Sequence, residues 1–415
     1  MADPPPSPWT LTARWLFPVA SPPVERGTIT LHGSQIAAIT PHGARSADFD
    51  LGNVALLPGL VNAHTHLDLS GLRGRCPPSA DFTAWLRAVI QHRRGLSPEQ
   101  VTADIRAGLT ESLTRGTTLL GDITAQGLSW PVLNSAPLRS VVFYELLGLP
   151  RARARQAGAN ALSWLGSHPH TVTCRVGLSP HAPYSVRGSL FRLAAAAARR
   201  HLCSIAIHLA ETPAELELLE HHRGPFVPFL AELGVWDPAG LVQGPDQLLG
   251  LYTAVDPVLF IHGNYLSPQS PIPPGGTVVY CPRTHAAFGH PPHPFRQLLQ
   301  AGVRIALGTD SLASNPDLDM LAEVRFLHAL YPQLPGLLLL HLATLAGAEA
   351  LGWADATGSL TPGKSADLVV VPLPDAEGPD PHQLLLESSA PVQAVLWCGR
   401  WIARDGVLVA PGFQF

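Results

Sequence analysis

The sequence predicts an α/β fold: a (β/α)8 barrel of the TIM type, joined to a small β-sandwich built from both chain ends. Three observations predict it. Eight short apolar runs alternate with helical patterns over the middle 300 or so residues. Strand-like segments crowd both ends of the chain. At 415 residues with 46% hydrophobic content, the chain can bury a large barrel core and a second, smaller one.

The elements follow in order. Near the N-terminus, Gly27–Gly33 and Gln35–Ile39 read as strands between polar turns. The run Val54–His64 is apolar and reads as the first barrel strand. Seven further β runs follow: Thr117–Gly121, Ser140–Tyr144, Thr173–Leu178, Ser204–His208, Val258–His262, Gly276–Cys281 and Val303–Gly308. Amphipathic helices are expected over Ala80–Arg93, Ser97–Arg115, Gly188–His201 and Pro213–Leu233, and a buried helix over Leu337–Leu351. Strands return at Ala366–Pro372 and Val392–Ala403, with a turn at Arg404-Asp405-Gly406. The expected division is 1–57 with 359–415 as the composite β domain, and 58–358 as the barrel.

Composition narrows the function. The formal net charge is -4 and charged residues make up 14%, without long runs of one sign, which argues against a nucleic-acid or anionic-membrane partner. Cys76, Cys174, Cys203, Cys281 and Cys398 are scattered and odd in number, so a reducing cytoplasmic location is expected. Met1–Ser7 is proline-rich and lacks the basic start of a secretory signal. The expected partner is a small-molecule substrate, with a homo-oligomer open.

Metal-capable residues stand at the ends of the predicted strands. His64 and His66 are two apart, so in an extended chain they point to the same side and can reach one ion. His208 ends one run, with Glu211 three residues on; His262 ends another; Asp310 follows a third; His181 follows a fourth. Strand ends of one barrel converge on a single mouth, where barrel enzymes do chemistry. A cation held there makes a nucleophile of water near neutral pH, so the set points to hydrolysis. Most of the other histidines, among 19, lie in polar or proline-rich surroundings that suit surface or loop roles.

The order His-x-His, His-x-x-Glu, His, Asp resembles the amidohydrolase superfamily, in the branch of adenosine-type, cytosine, guanine and S-adenosylhomocysteine deaminases and chlorohydrolases. The matching segments are Pro58–His66, Leu178–Tyr184, His208–Thr212, Ile261–Asn264, Leu307–Ser311 and Gly358–Leu368. The resemblance implies one divalent metal, zinc or alternatively iron, held by His64, His66, His208 and Asp310. It implies His262 beside the metal orienting the attacking water, Asp310 taking or sharing its proton, and Glu211 as proton shuttle to a ring nitrogen. Binuclear members carry a modified barrel lysine; here the only lysine is Lys364, beyond the barrel, which implies a mononuclear site.

The implied activity is hydrolytic deamination of an aminated purine nucleoside with release of ammonia. The segment Cys281–Phe288, with His66–Ser70 and Phe82–Leu86, looks most like aminodeoxyfutalosine deaminases. Guanine or S-adenosylhomocysteine deamination and triazine-type chlorohydrolysis are the alternatives within the enzyme class. A non-catalytic protein retaining the fold is a further one, disfavoured because all six expected positions are filled. His181 is the first candidate for a substrate contact. Arg283 and His285 are candidates for a polar or carboxylated portion of the substrate, with plain loop roles as the alternative. Phe82 and Trp85 line a pocket for an aromatic arm or pack their helix on the barrel.

Overall fold

The computed structural model describes residues 7–44, 46–378 and 380–409. Its centre is an eight-stranded parallel sheet, labelled here β1 (Leu60–Thr65), β2 (Thr117–Ala125), β3 (Arg139–Leu146), β4 (Cys174–Pro180), β5 (Ser204–Leu209), β6 (Val258–His262), β7 (Gly276–Tyr280) and β8 (Arg304–Leu307). Each strand pairs with the next in chain order. The sheet curls until β8 meets β1, where the N–H groups of Thr309 and Asp310 donate to the His64 carbonyl at 3.2 and 3.1 Å. Gly308 permits that approach: a Cβ there would lie 2.9 Å from the His64 carbonyl oxygen.

Alternation along the strands builds two cores. Val61, Ala63, Leu119, Ile123, Val141, Phe143, Leu259 and Ile261 fill the barrel interior. Their neighbours Leu60, Leu120, Val142, Val258 and Phe260 face outward and pack with the surrounding helices. This is the period-two pattern of strands buried on both faces.

Both chain ends contribute to a seven-stranded sheet, in the order 407–408, 400–404, 394–397, 368–372, 54–58, 15–16 and 24–25. A four-stranded sheet, ordered 35–40, 28–32, 9–12 and 49–50, lies against it. Trp9, Leu11, Ile29 and Leu31 share one core with Val54, Leu56, Leu368 and Val370. Ala55, Leu57, Val369 and Val371, on the other face, join the core around the barrel. The turn at Asp405-Gly406 has both residues at positive φ, as a tight hairpin between Arg404 and Val407 requires.

Three expectations need correction, and one helix was not anticipated. The run Val54–His64 is two strands: Val54–Pro58 pairs with Leu368–Pro372, and β1 begins at Leu60. Pro58 has no N–H to extend a ladder, and a Cβ on Gly59 would overlap the Thr118 side chain. Pro213–Leu233 divides into Pro213–His221 and Phe226–Glu232, with His222 and Gly224 at positive φ and Pro225 between them. Leu337–Leu351 divides at Thr344 into Gly336–Leu342 and Leu345–Ala350. Helix Arg151–Ser167, absent from the expected elements, has little apolar signal because Ala154, Gly158 and Ala161 are three of its five buried residues.

Candidate active site

The ends of β1, β5, β6 and β8 bring His64, His66, His208, His262 and Asp310 together. Ligating atoms of His64, His208 and His262 all lie within 4.8 Å of one another, as do those of His64, His66 and Asp310. Nε2 of His66 is 3.3 Å from Nε2 of His208, and Nε2 of His64 is 3.4 Å from Oδ1 of Asp310. The backbone at two of these positions is unusual: His262 has φ +66° and Asp310 +61°. Left-handed geometry on non-glycine residues is costly and persists where the surroundings enforce it.

The hydrogen bonds around the cluster supply that enforcement. His293 donates from Nε2 to the His262 carbonyl at 2.8 Å and accepts from the Phe295 N–H at Nδ1. Asn62 accepts the Thr309 N–H at 3.1 Å, while Ser314 donates to Oδ2 of Asp310 at 2.7 Å. Nδ1 of His208 donates to the His181 carbonyl at 3.0 Å, which leaves Nε2 as the unprotonated nitrogen.

The donor set fits a single divalent cation. Both ring nitrogens of His64 are buried without a hydrogen bond, and so is Nδ1 of His66. Unsatisfied polar atoms this deep are rare in proteins unless something else binds them. Three imidazoles and a carboxylate suit zinc or a similar borderline ion. Burial holds His64, His66 and His262 well below the ordinary histidine range, and lowers His208 to about 4, so all are neutral and able to ligate.

Glu211 is 6% exposed, with Oε1 3.3 Å from Nε2 of His262. Burial, with Asp310 and Glu215 nearby, raises its carboxyl well above the usual range, so it is poised to carry a proton. Its backbone is fixed from two sides. Asn264 donates to the Glu211 carbonyl at 2.9 Å, and Glu215 accepts the Ala210 and Glu211 N–H groups at 2.9 and 3.1 Å.

His181 follows β4, with its ring centroid 4.9 Å from that of His208 and Nδ1 2.7 Å from Ser185 Oγ. Burial, with Arg93 nearby, lowers it to about 3. Arg93 itself joins Asp68 at 2.6 Å and Glu145, at the end of β3, at 3.3 Å. Sequence reasoning missed this trio, since nothing in the spacing of 68, 93 and 145 announces it.

Arg283 does not stand free for a substrate. Nε reaches Glu323 Oε1 at 2.7 Å and Nη2 reaches Asp317 Oδ1 at 2.6 Å. Glu323 also accepts from Asn315, which donates to the Thr309 carbonyl, so Arg283 braces the Asp310 loop. His285 is buried among Tyr280, His290 and His293, its Nε2 unpartnered. Phe82 and Trp85 pack with Phe226 and Phe288, and Trp85 Nε1 donates to the Cys76 carbonyl at 3.1 Å. That favours the packing role for both.

Residues 55–404 match the amidohydrolase family model, most of the chain. The chain belongs to the amidohydrolase family. Relatives include a 5-methylthioadenosine/S-adenosylhomocysteine deaminase of Nitratidesulfovibrio vulgaris, 28% identical over 92% of this chain and 89% of that protein. An aminodeoxyfutalosine deaminase of Deinococcus radiodurans is 30% identical over 77% of this chain and 78% of the relative. A solved adenosine deaminase from Xanthomonas campestris with bound zinc superposes with TM-score 0.79 and 25% identity, covering 98% and 95% of the two chains. The amidohydrolase has no helix, among the described residues, that is long and apolar enough to cross a membrane.

Proposed function

We propose that this amidohydrolase is a mononuclear metal-dependent deaminase of an adenine nucleoside. Aminodeoxyfutalosine is the substrate we put first. The carrying observation is the pairing of a buried Glu211 carboxyl with His262, 3.3 Å apart, at the edge of the imidazole and Asp310 cluster. The family membership, the deaminase relatives of both kinds and the mouth of the barrel support the same reading.

His64, His66, His208 and Asp310 would hold the ion, with zinc favoured because the Xanthomonas neighbour binds it. Bound there, the ion supplies the acidity that makes water a nucleophile near neutral pH. The rest is the work of side chains. His262 accepts a hydrogen bond from the attacking water and aims it at the ring carbon that bears the amino group. Asp310, its Oδ2 held by Ser314, receives the water proton. Glu211 protonates the adjacent ring nitrogen as the new C–O bond forms. The proton on Asp310 then passes to the amino group, which leaves as ammonia when the C–N bond breaks. Glu211 recovers its proton as the oxo product forms. His181, neutral at pH 7, offers a hydrogen bond to the sugar or ring.

Ammonia release would be measured from adenosine, 5′-deoxyadenosine, methylthioadenosine, S-adenosylhomocysteine, aminodeoxyfutalosine and guanine, with chloride release from a chlorotriazine. Turnover of adenine nucleosides is expected, highest for aminodeoxyfutalosine. Turnover confined to guanine or the triazine would overturn the reading.

A further inference from the structure

Glu215 is fully buried, 0% exposed, and no residue of the reaction scheme calls for it. It opens helix Pro213–His221 at the third position, three residues after Thr212, whose hydroxyl caps the Glu215 N–H at 3.2 Å. Thr-x-x-Glu is the spacing of a capping box, in which the glutamate normally reaches back to the N–H of the cap residue. Here it reaches past the cap. Oε1 accepts the N–H of Ala210 at 2.9 Å and Oε2 accepts the N–H of Glu211 at 3.1 Å.

Those two peptides form the turn that carries β5 into the site. Ala210 has φ +52°, so the chain bends there in a conformation that a residue with a Cβ resists. The turn is also held from the β6 side. Gly263 donates to the Leu209 carbonyl at 3.0 Å, Tyr265 donates to the Ala210 carbonyl at 3.1 Å, and Asn264 takes the Glu211 carbonyl. The turn's carbonyls are therefore claimed by one segment, and its two N–H groups by one carboxylate. Without that carboxylate, two buried N–H groups lose their acceptor and a strained turn loses its clamp.

We propose that Glu215 is a positioning residue, whose grip on the Ala210 and Glu211 amides sets the Glu211 carboxyl against His262. The idea rests on the reading of Glu211 as proton carrier for its kinetic consequence, but not for its structural one. Carboxyl placement matters steeply, since a displacement of about 1 Å in a reacting group can cost about 100-fold in rate. Glu215→Gln keeps the shape but turns an N–H donor toward one of the two amides. Glu215→Asp keeps the charge and shortens the reach by one methylene.

The test compares both variants with the parent in crystal structures, metal content, kcat and KM. Both should bind one equivalent of metal. In Glu215→Gln the separation of Glu211 Oε1 from His262 Nε2 should lengthen beyond 3.3 Å, with kcat down about 10- to 100-fold and KM within twofold. Glu215→Asp should fall between it and the parent, and it carries the test if Glu215→Gln does not fold. An unmoved Glu211 in either folded variant overturns the proposal. So does a loss of activity that only tracks loss of metal. The proton-carrier reading fails differently: Glu211→Gln would retain activity while the Glu215 variants still displaced the side chain.

Discussion

Nδ1 of His208 donates to the backbone carbonyl of His181 across 3.0 Å, so the residue that follows strand β4 sets the tautomer of an imidazole on strand β5. With Nδ1 occupied, Nε2 carries the lone pair and faces Nε2 of His66. Such outer contacts orient metal-binding histidines and raise their basicity. They also tie the candidate substrate residue, His181, to the candidate metal site by one backbone link.

Metal removal should abolish activity. Dialysis against a chelator is expected to lower turnover to background, and one equivalent of zinc per chain should restore it. His208→Ala should hold less than about a tenth of an equivalent under the same conditions. Elemental analysis alongside the ammonia assay checks both. Activity that survives complete metal loss would count against the site.

Glu211→Gln removes the proton but keeps the size of the side chain. A fall in kcat of about 100- to 10,000-fold is expected, with metal content unchanged. Steady-state kinetics with paired metal analysis would decide, and near-parental kcat would remove Glu211 from the reaction.

Arg283 offers a choice between two roles. As a brace, its loss leaves Glu323, which is fully buried, without its cationic partner. Arg283→Met should destabilise the protein by about 3–5 kcal/mol, the usual cost of breaking a buried pair, read by denaturant unfolding. A raised KM at unchanged stability would instead return Arg283 to the substrate.

Stability should decline on the acid side. Burial lowers His285 to about 4 and His293 to about 3. Both lie below the unfolded histidine value of about 6.5, so between these limits the unfolded chain binds protons that the folded chain refuses. Their contribution is fully present above about pH 6.5 and is lost as the pH falls toward 4 and 3. Thermal melts from pH 7.5 to 5 should show the decline, and His285→Asn should flatten it. An unchanged slope in that variant would mean His285 is already charged when folded.

His181→Ala tests the substrate contact. KM for the preferred nucleoside should rise about 10-fold or more while metal content holds, because the His208 bond uses the backbone carbonyl and survives the change. Equal kinetics in parent and variant would clear His181 of that role.

Much of this was legible along the chain. The barrel showed itself because each strand is apolar on both faces, and Leu259–Ile261 or Ile205–Ile207 need no partner to be recognised. The candidate site residues showed themselves because His64, His208, His262 and Asp310 interrupt such runs where they end. Less was legible where contacts replace periodicity. Nothing near Arg283 signals Glu323, forty residues on, or the Asp68–Arg93–Glu145 trio. Glu215 went unnoticed in the sequence: its place three residues after Thr212 has the spacing of a capping glutamate, but nothing local marks it as the acceptor for the two amides before the cap.

Local pattern was enough to establish the strands, the order of metal-capable residues and the family likeness. Those features depend on neighbours within a few positions, and the hydrophobic effect reads them one strand at a time. Tertiary structure alone settled which charges are spent on one another, which histidine nitrogen is free, and how the Glu211 turn is held. Each of these depends on distances between groups far apart in sequence, and such distances exist only after the barrel has closed and water has left.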